Sequence, residues 1–178
     1  MANSTRDPAL VAVHRGGRLT ESDHRLLVKW AAICAQRALP LFEAEVPDDS
    51  RPAEAIAVAL DWSRGEATVG QARTASVAAH AAARETNGAA RFAARACGHA
   101  VATAHMADHE LGAAYYSLLA LQAKGPNRVR AELDWQLENL PNAVHDLVRS
   151  DMVRRSLKFR RAFDLANSDM DPENTVKN

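Results

Sequence analysis

Between residues 89 and 123 the chain reads AARFAARACGHAVATAHMADHELGAAYYSLLALQA. Alanine crowds this stretch, glycine punctuates it, and His99, His105 and His109 are threaded through it. Side chains this small let helix backbones approach closely, so the segment predicts two helices tightly packed in a core. An imidazole there carries a polar edge that must find a partner once it is buried. Alanine is the best helix former and a poor strand former, and 21 alanines fall between Ala67 and Ala123. No segment alternates Val, Ile, Thr and aromatic residues in the way a strand requires. The expected fold is all-α: a single-domain antiparallel bundle of about six to seven helices.

Start and stop signals divide the chain. Residues 1–19 read as a flexible lead-in broken at Gly16-Gly17. A first helix begins near Thr20 or Ser22, and Pro40 should kink or end it. VPDDSRP, residues 46–52, is a loop in which Asp49 or Ser50 can cap a second helix, 52–64, stopped by Gly65. Thr68 caps a third helix that runs to about 86. A fourth covers 89–107 and a fifth 109–123, with the break expected near Asp108. Asn127 caps a sixth, interrupted at Pro141, and a seventh spans 142–163. The folded domain is thus 20–148, followed by a basic helix at 149–163 and a disordered tail at 164–178.

Composition narrows the function. Basic and acidic residues balance at 22 each, so no global attraction to nucleic acid or to an anionic membrane is indicated. The exception is 149–163, which has one acid against Arg149, Arg154, Arg155, Lys158, Arg160 and Arg161. Such a segment can bind phosphates or lie on a membrane surface, but the expected reading is an amphipathic helix packed on the bundle with its arginines in water. Cys34 and Cys97 sit among alanines, as small buried hydrophobes do, and form neither a disulfide framework nor a zinc pair. No signal-peptide core and no membrane span is visible, so a cytoplasmic location is expected.

Catalytic signatures are missing. TVGQAR is not a phosphate-binding loop, and Ser117 lies in YYSLLA rather than on a strand-to-helix elbow. Glu43, Glu45, Asp48 and Asp49 cluster, but around a solvated loop. His105 and His109 are four apart, a metal-ligand spacing if one helix carries both, and Asp108 could orient a ring. His99 lies roughly 240° from His105 on a continuous helix, so a third ligand would have to be His80 or His24. The expected role of these rings is to fasten helices together. The alternative is a small metal-binding protein or enzyme using His99, His105 and His109. No cofactor is called for.

Three passages, LLVKWAAICAQRALPLFEAEVPDDSRPAEAIAVALDWSRGEATVGQAR, AARACGHAVATAHMADHELGAAYYSLLAL and ELDWQLENLPNAV, together resemble the Imm-5-like domain of bacterial immunity proteins, a family common in actinobacteria. The resemblance covers about 26–148. It implies a helical protein, not an enzyme, that binds and neutralises a toxin of a polymorphic toxin system. It transfers no catalytic residue. Under it, Asp48, Asp49, Trp62 and Trp135 become the candidate anchors for the toxin.

Overall fold

The computed structural model describes residues 7–155. Within them the chain forms seven α-helices and no strand: α1 Glu21–Glu43, α2 Arg51–Arg64, α3 Val69–Glu85, α4 Gly88–Ala102, α5 Glu110–Leu121, α6 Pro126–Glu138 and α7 Asn142–Arg154. Among the described residues no helix is long and apolar enough to cross a membrane. The basic segment beyond 155 and the tail 164–178 lie outside the described residues.

Local chemistry sets most boundaries. Thr20 caps α1 by accepting from the Asp23 N–H at 3.1 Å. Thr68 and Gln71 form a reciprocal capping box at the start of α3. Gly65, at φ +82°, closes α2 in the left-handed conformation that only glycine adopts cheaply. Of the two candidate caps for α2, Asp49 does the work: its Oδ1 accepts from the Arg51 N–H at 3.1 Å, while Ser50 donates to Glu54 instead.

Of the two outcomes expected at Pro40, a helix end is ruled out: α1 continues for one turn past it to Glu43. Three expectations are corrected. Helix α6 starts at Pro126 with Gly125 as its cap, not at Asn127, because proline at the first helical position loses no hydrogen bond. Helix α4 stops at Ala102 rather than near 107. Its end is held from outside: His24 Nε2 on α1 donates to the Thr103 carbonyl at 2.7 Å, and the Thr103 hydroxyl donates back to the His99 carbonyl at 3.0 Å. Finally, residues 7–19 are folded against the bundle. Two short 3-10 turns, 8–10 and 13–15, are tied by an Ala12–Leu19 bridge, and Leu10 and Leu19 are buried beside Trp30 and Leu27.

Helix α4 is the hub, touching α1, α2, α3 and α5. Ala90, Ala93, Ala94, Ala96, Cys97, Gly98 and Ala100 are all buried on it. With no large side chain in the way, neighbouring helices come close enough for side chains on one to meet backbone on the next. Helix α6 runs antiparallel to α1: Trp30 Nε1 donates to the Gln136 carbonyl at 2.9 Å, and Arg37 Nε donates to Glu132 Oε2 at 2.7 Å. The two cysteines are free and buried, and burial raises both thiol pKa values, so they are inert hydrophobes here.

Candidate functional site

The histidines meet at the junction of α3, α4 and α5. His80 comes from α3 and His99 from α4. His109 comes from a 3-10 turn at 107–109, and His105 lies in the connector between α4 and that turn. Their rings form a chain: His80 to His99 at 5.0 Å, His99 to His109 at 5.2 Å and His109 to His105 at 5.6 Å between centroids. Tyr116 stacks on the other side of His99 at 5.2 Å.

Two glycines make the seats for these rings. A Cβ on Gly98 would stand 2.8 Å from the His80 ring, and a Cβ on Gly112 would stand 2.7 Å from the His99 ring. At 112 glycine is required by close approach to the root of the His99 side chain rather than by torsion angles, whereas at 98 a side chain would have to displace the tip of the His80 ring.

His99 Nδ1 and His109 Nδ1 lie 3.2 Å apart, so one ring donates and the other accepts. Burial pushes His109 down to about 4, against the pull of the Asp108 carboxylate and with repulsion from the His105 and His80 rings and from Arg155 adding to it. Burial, with Arg95 and Arg84, also lowers His80. Both rings are therefore neutral at physiological pH. His105 and His109 do not share a helix face, because α4 has already ended, and the link between His99 and His105 runs through His109. His24 is elsewhere, bonded to the Thr103 carbonyl and tilted against Trp62 at 4.8 Å. Among the described residues no three His, Cys, Asp or Glu side chains converge in a way that holds a metal ion.

Beside the histidines lies a buried carboxyl pair that the sequence did not announce. Glu110 and Asp151 are both fully enclosed. Arg155 spans them: Nη2 donates to Glu110 Oε1 at 3.3 Å and to Asp151, and Nη1 donates to the Asp108 carbonyl at 2.9 Å. Arg154 also pairs with Asp151 and reaches Asp7 Oδ2 at 3.9 Å. Burial pushes the Glu110 carboxyl well above the usual range, and the Asp151 charge adds to this against the pull of Arg155. Burial therefore favours the protonated form of Glu110, which hydrogen-bonds Asp151. Two of the six cations flagged for phosphate binding are thus engaged with internal acids. Arg149 is exposed, and Lys158, Arg160 and Arg161 lie outside the described residues. The one signal available in sequence was spacing: Asp151 precedes Arg154 by three and Arg155 by four, which brings them together on a helix.

The other candidates are dispersed. Glu43, Glu45 and Asp48 are exposed. Asp49 is clamped by Arg51, with Nη2 to Oδ2 at 2.6 Å, and that bond holds its carboxyl below the usual range. Trp62 is half-buried at the far end of α2, on the order of 20 Å along the helix from Asp49. Trp135 on α6 is half-buried under the Arg37 guanidinium, 4.0 Å from the ring centre. Asp49 and Trp62 therefore belong to separate regions of the surface. Ser117 spends its hydroxyl on the Cys34 and Ala113 carbonyls, both at 2.9 Å.

Two cavities flank the 103–109 connector. The smaller, of about 230 Å³, lies over His99, His109, Tyr115, Tyr116 and Arg155. The larger, of about 460 Å³, opens between the N-terminal turns, Trp62 and His105.

The family model described as Imm-5 like putative immunity protein matches residues 17–143, which takes in α1 to α6. No curated protein and no solved structure matches the chain.

Proposed function

This chain belongs to the Imm-5 like putative immunity protein family, and we propose that it protects its producer by binding a toxin of a bacterial polymorphic toxin system one to one. The observation that carries this is the family match across α1–α6. The interior chemistry is consistent with it. The histidine chain and the Glu110–Asp151–Arg155 network are occupied in joining α3, α4, α5 and α7, which is what a rigid binding scaffold needs. We read the protein as a non-catalytic inhibitor, working in the cytoplasm on a protein partner rather than on nucleic acid.

Inhibition of this kind needs a surface that covers the toxin's working face. Affinity comes from a few anchors that become desolvated, while peripheral charges set the rate of encounter. Half-buried Trp62 and Trp135 and exposed Asp48 are the anchors offered by this fold; Asp49 is already paired within it.

The test is co-expression with the toxin encoded beside this gene. Growth should be restored in the presence of this chain, and the two proteins should co-purify in equal amounts. If no neighbouring product is neutralised or retained, the proposal fails.

A further inference from the structure

The cavity of about 460 Å³ falls in the range of small-molecule sites, which are mostly apolar clefts with a few fixed polar groups. Its apolar lining includes Leu10, Val13, Leu19, Val69, Ala104 and Ala107. Trp62 and His24 form an aromatic wall, their rings 4.8 Å apart and tilted by 59°. The wall is fixed in place, because His24 spends Nε2 on the Thr103 carbonyl. The opposite side is fixed as well: Leu10 and Leu19 are anchored in the core, and the 11–19 loop is closed by the Val13 N–H to Leu19 carbonyl bond at 3.0 Å. A preformed cleft of this kind spends little binding energy on ordering its own walls.

Charge at the mouth is uneven. The rim carries His14, Arg15 and Glu21. Glu21 is already paired with Arg25 at 2.5 Å. The acids near Trp62 are engaged too, Asp61 and Glu66 both with Arg64. Arg15 makes no ion pair with the other described residues. We propose that this cleft is a binding site for a small monoanion with an apolar body of aromatic size, an aryl carboxylate in chemical class. The aromatic body lies against Trp62 and His24, and the carboxylate faces Arg15. The site shares Trp62 with the proposed toxin anchors but does not rest on that reading, and its test uses no toxin.

The experiment titrates the isotope-labelled full chain with two probes that share one apolar body, 2-naphthoate and 2-naphthylmethylammonium, and follows backbone amide signals. Saturable shifts confined to residues 10–24, 62–69 and 104–107 are expected for naphthoate. It should bind roughly two- to fivefold more tightly than the ammonium, the scale of one exposed charge pair. Arg15→Gln, a change at an exposed position, should bring the two affinities together. Trp62→Ala should weaken both probes. Shifts that are absent at millimolar probe, or scattered over the surface, overturn the site. Equal affinities in the unsubstituted protein overturn the anionic preference, and an undiminished Trp62→Ala affinity overturns the aromatic wall.

Discussion

Gly112→Ala adds a single methyl group at the seat of the His99 ring. The new Cβ would stand 2.7 Å from Cγ and Nδ1 of His99 and 3.2 Å from its Cβ. These atoms are the root of the side chain, so the ring cannot escape by swinging its far end. It is also confined by Tyr116 on one face, by the edge of His80, and by the Nδ1 bond to His109. Overpacking of this kind costs about 1–3 kcal/mol. Losing the imidazole pair adds about 1 kcal/mol, and the better helix propensity of alanine returns up to about 1 kcal/mol. The net loss is thus about 1–3 kcal/mol, and at about 2–4 °C per kcal/mol for a chain of this size the midpoint of thermal unfolding falls by roughly 2–12 °C. Gly70→Ala is the control, because its Cβ meets nothing closer than the Thr68 hydroxyl at 3.7 Å; it should be neutral or slightly stabilising. Calorimetry of the two variants decides. A second check is a cycle with His99→Ala: removing the ring should relieve the clash, so the double variant loses less than the sum of the singles. Equal melting of Gly112→Ala and Gly70→Ala, together with an additive cycle, would refute the idea that the glycine is there to seat the ring.

Acid should destabilise the fold through the histidines. His109 titrates at about 4 when folded and near 6.5 when unfolded, so the unfolded chain takes up the extra proton and stability falls as pH drops from about 6.5 to 4. At 1.36 kcal/mol per tenfold in proton concentration, reduced because the ring is partly exposed, the loss is on the order of 2 kcal/mol. Denaturant melts of His109→Gln should be flatter across that window, and an unchanged slope would exclude His109 as the source. Glu110 has the opposite sign: its folded pKa is raised, so its stabilisation is complete below its unfolded value and is lost as pH climbs through the folded one. Glu110→Gln, which keeps a donor toward Asp151, should therefore gain stability over the parent at pH 8 relative to pH 5, whereas Glu110→Ala should lose it at both. Arg155→Ala leaves Asp151 buried with Arg154 as its remaining cation; the expected cost is about 2–3 kcal/mol, below the usual figure for a broken buried pair, and a melt within experimental error of the parent would show that the network contributes nothing.

The fold class and most helix boundaries were legible because they are written in local chemistry. Alanine density gives helices, Thr68 with Gln71 gives a start and Gly65 gives a stop, all within a few residues of one another. The end of α4 was not legible. No glycine or proline marks Ala102; His24 fixes the end from a position 79 residues away. The N-terminal turns were missed for the same reason, since the burial of Leu10 and Leu19 depends on Trp30 and Leu27. For the histidines, composition announced the cluster but not its order. A helical projection separates His99 from His105, whereas the turn after Ala102 lets His109 stand between them. Glu110 was hidden because a glutamate at a helix start ordinarily faces water, and only the arrival of α7 encloses it.

The Asp7–Arg154 contact places the two limits of the described chain at one corner of the molecule. A short tether from residue 155 to residue 7, in place of the segments outside them, would join them without disturbing any helix, and the solvated turn at 44–50 supplies a place to open the chain anew. A circularly permuted protein made this way would begin with α2 and carry α1 last, with all seven helices in their places. Reporter domains fused directly at residue 7 or at residue 155 would emerge side by side from that corner, leaving the rest of the surface available for capture experiments.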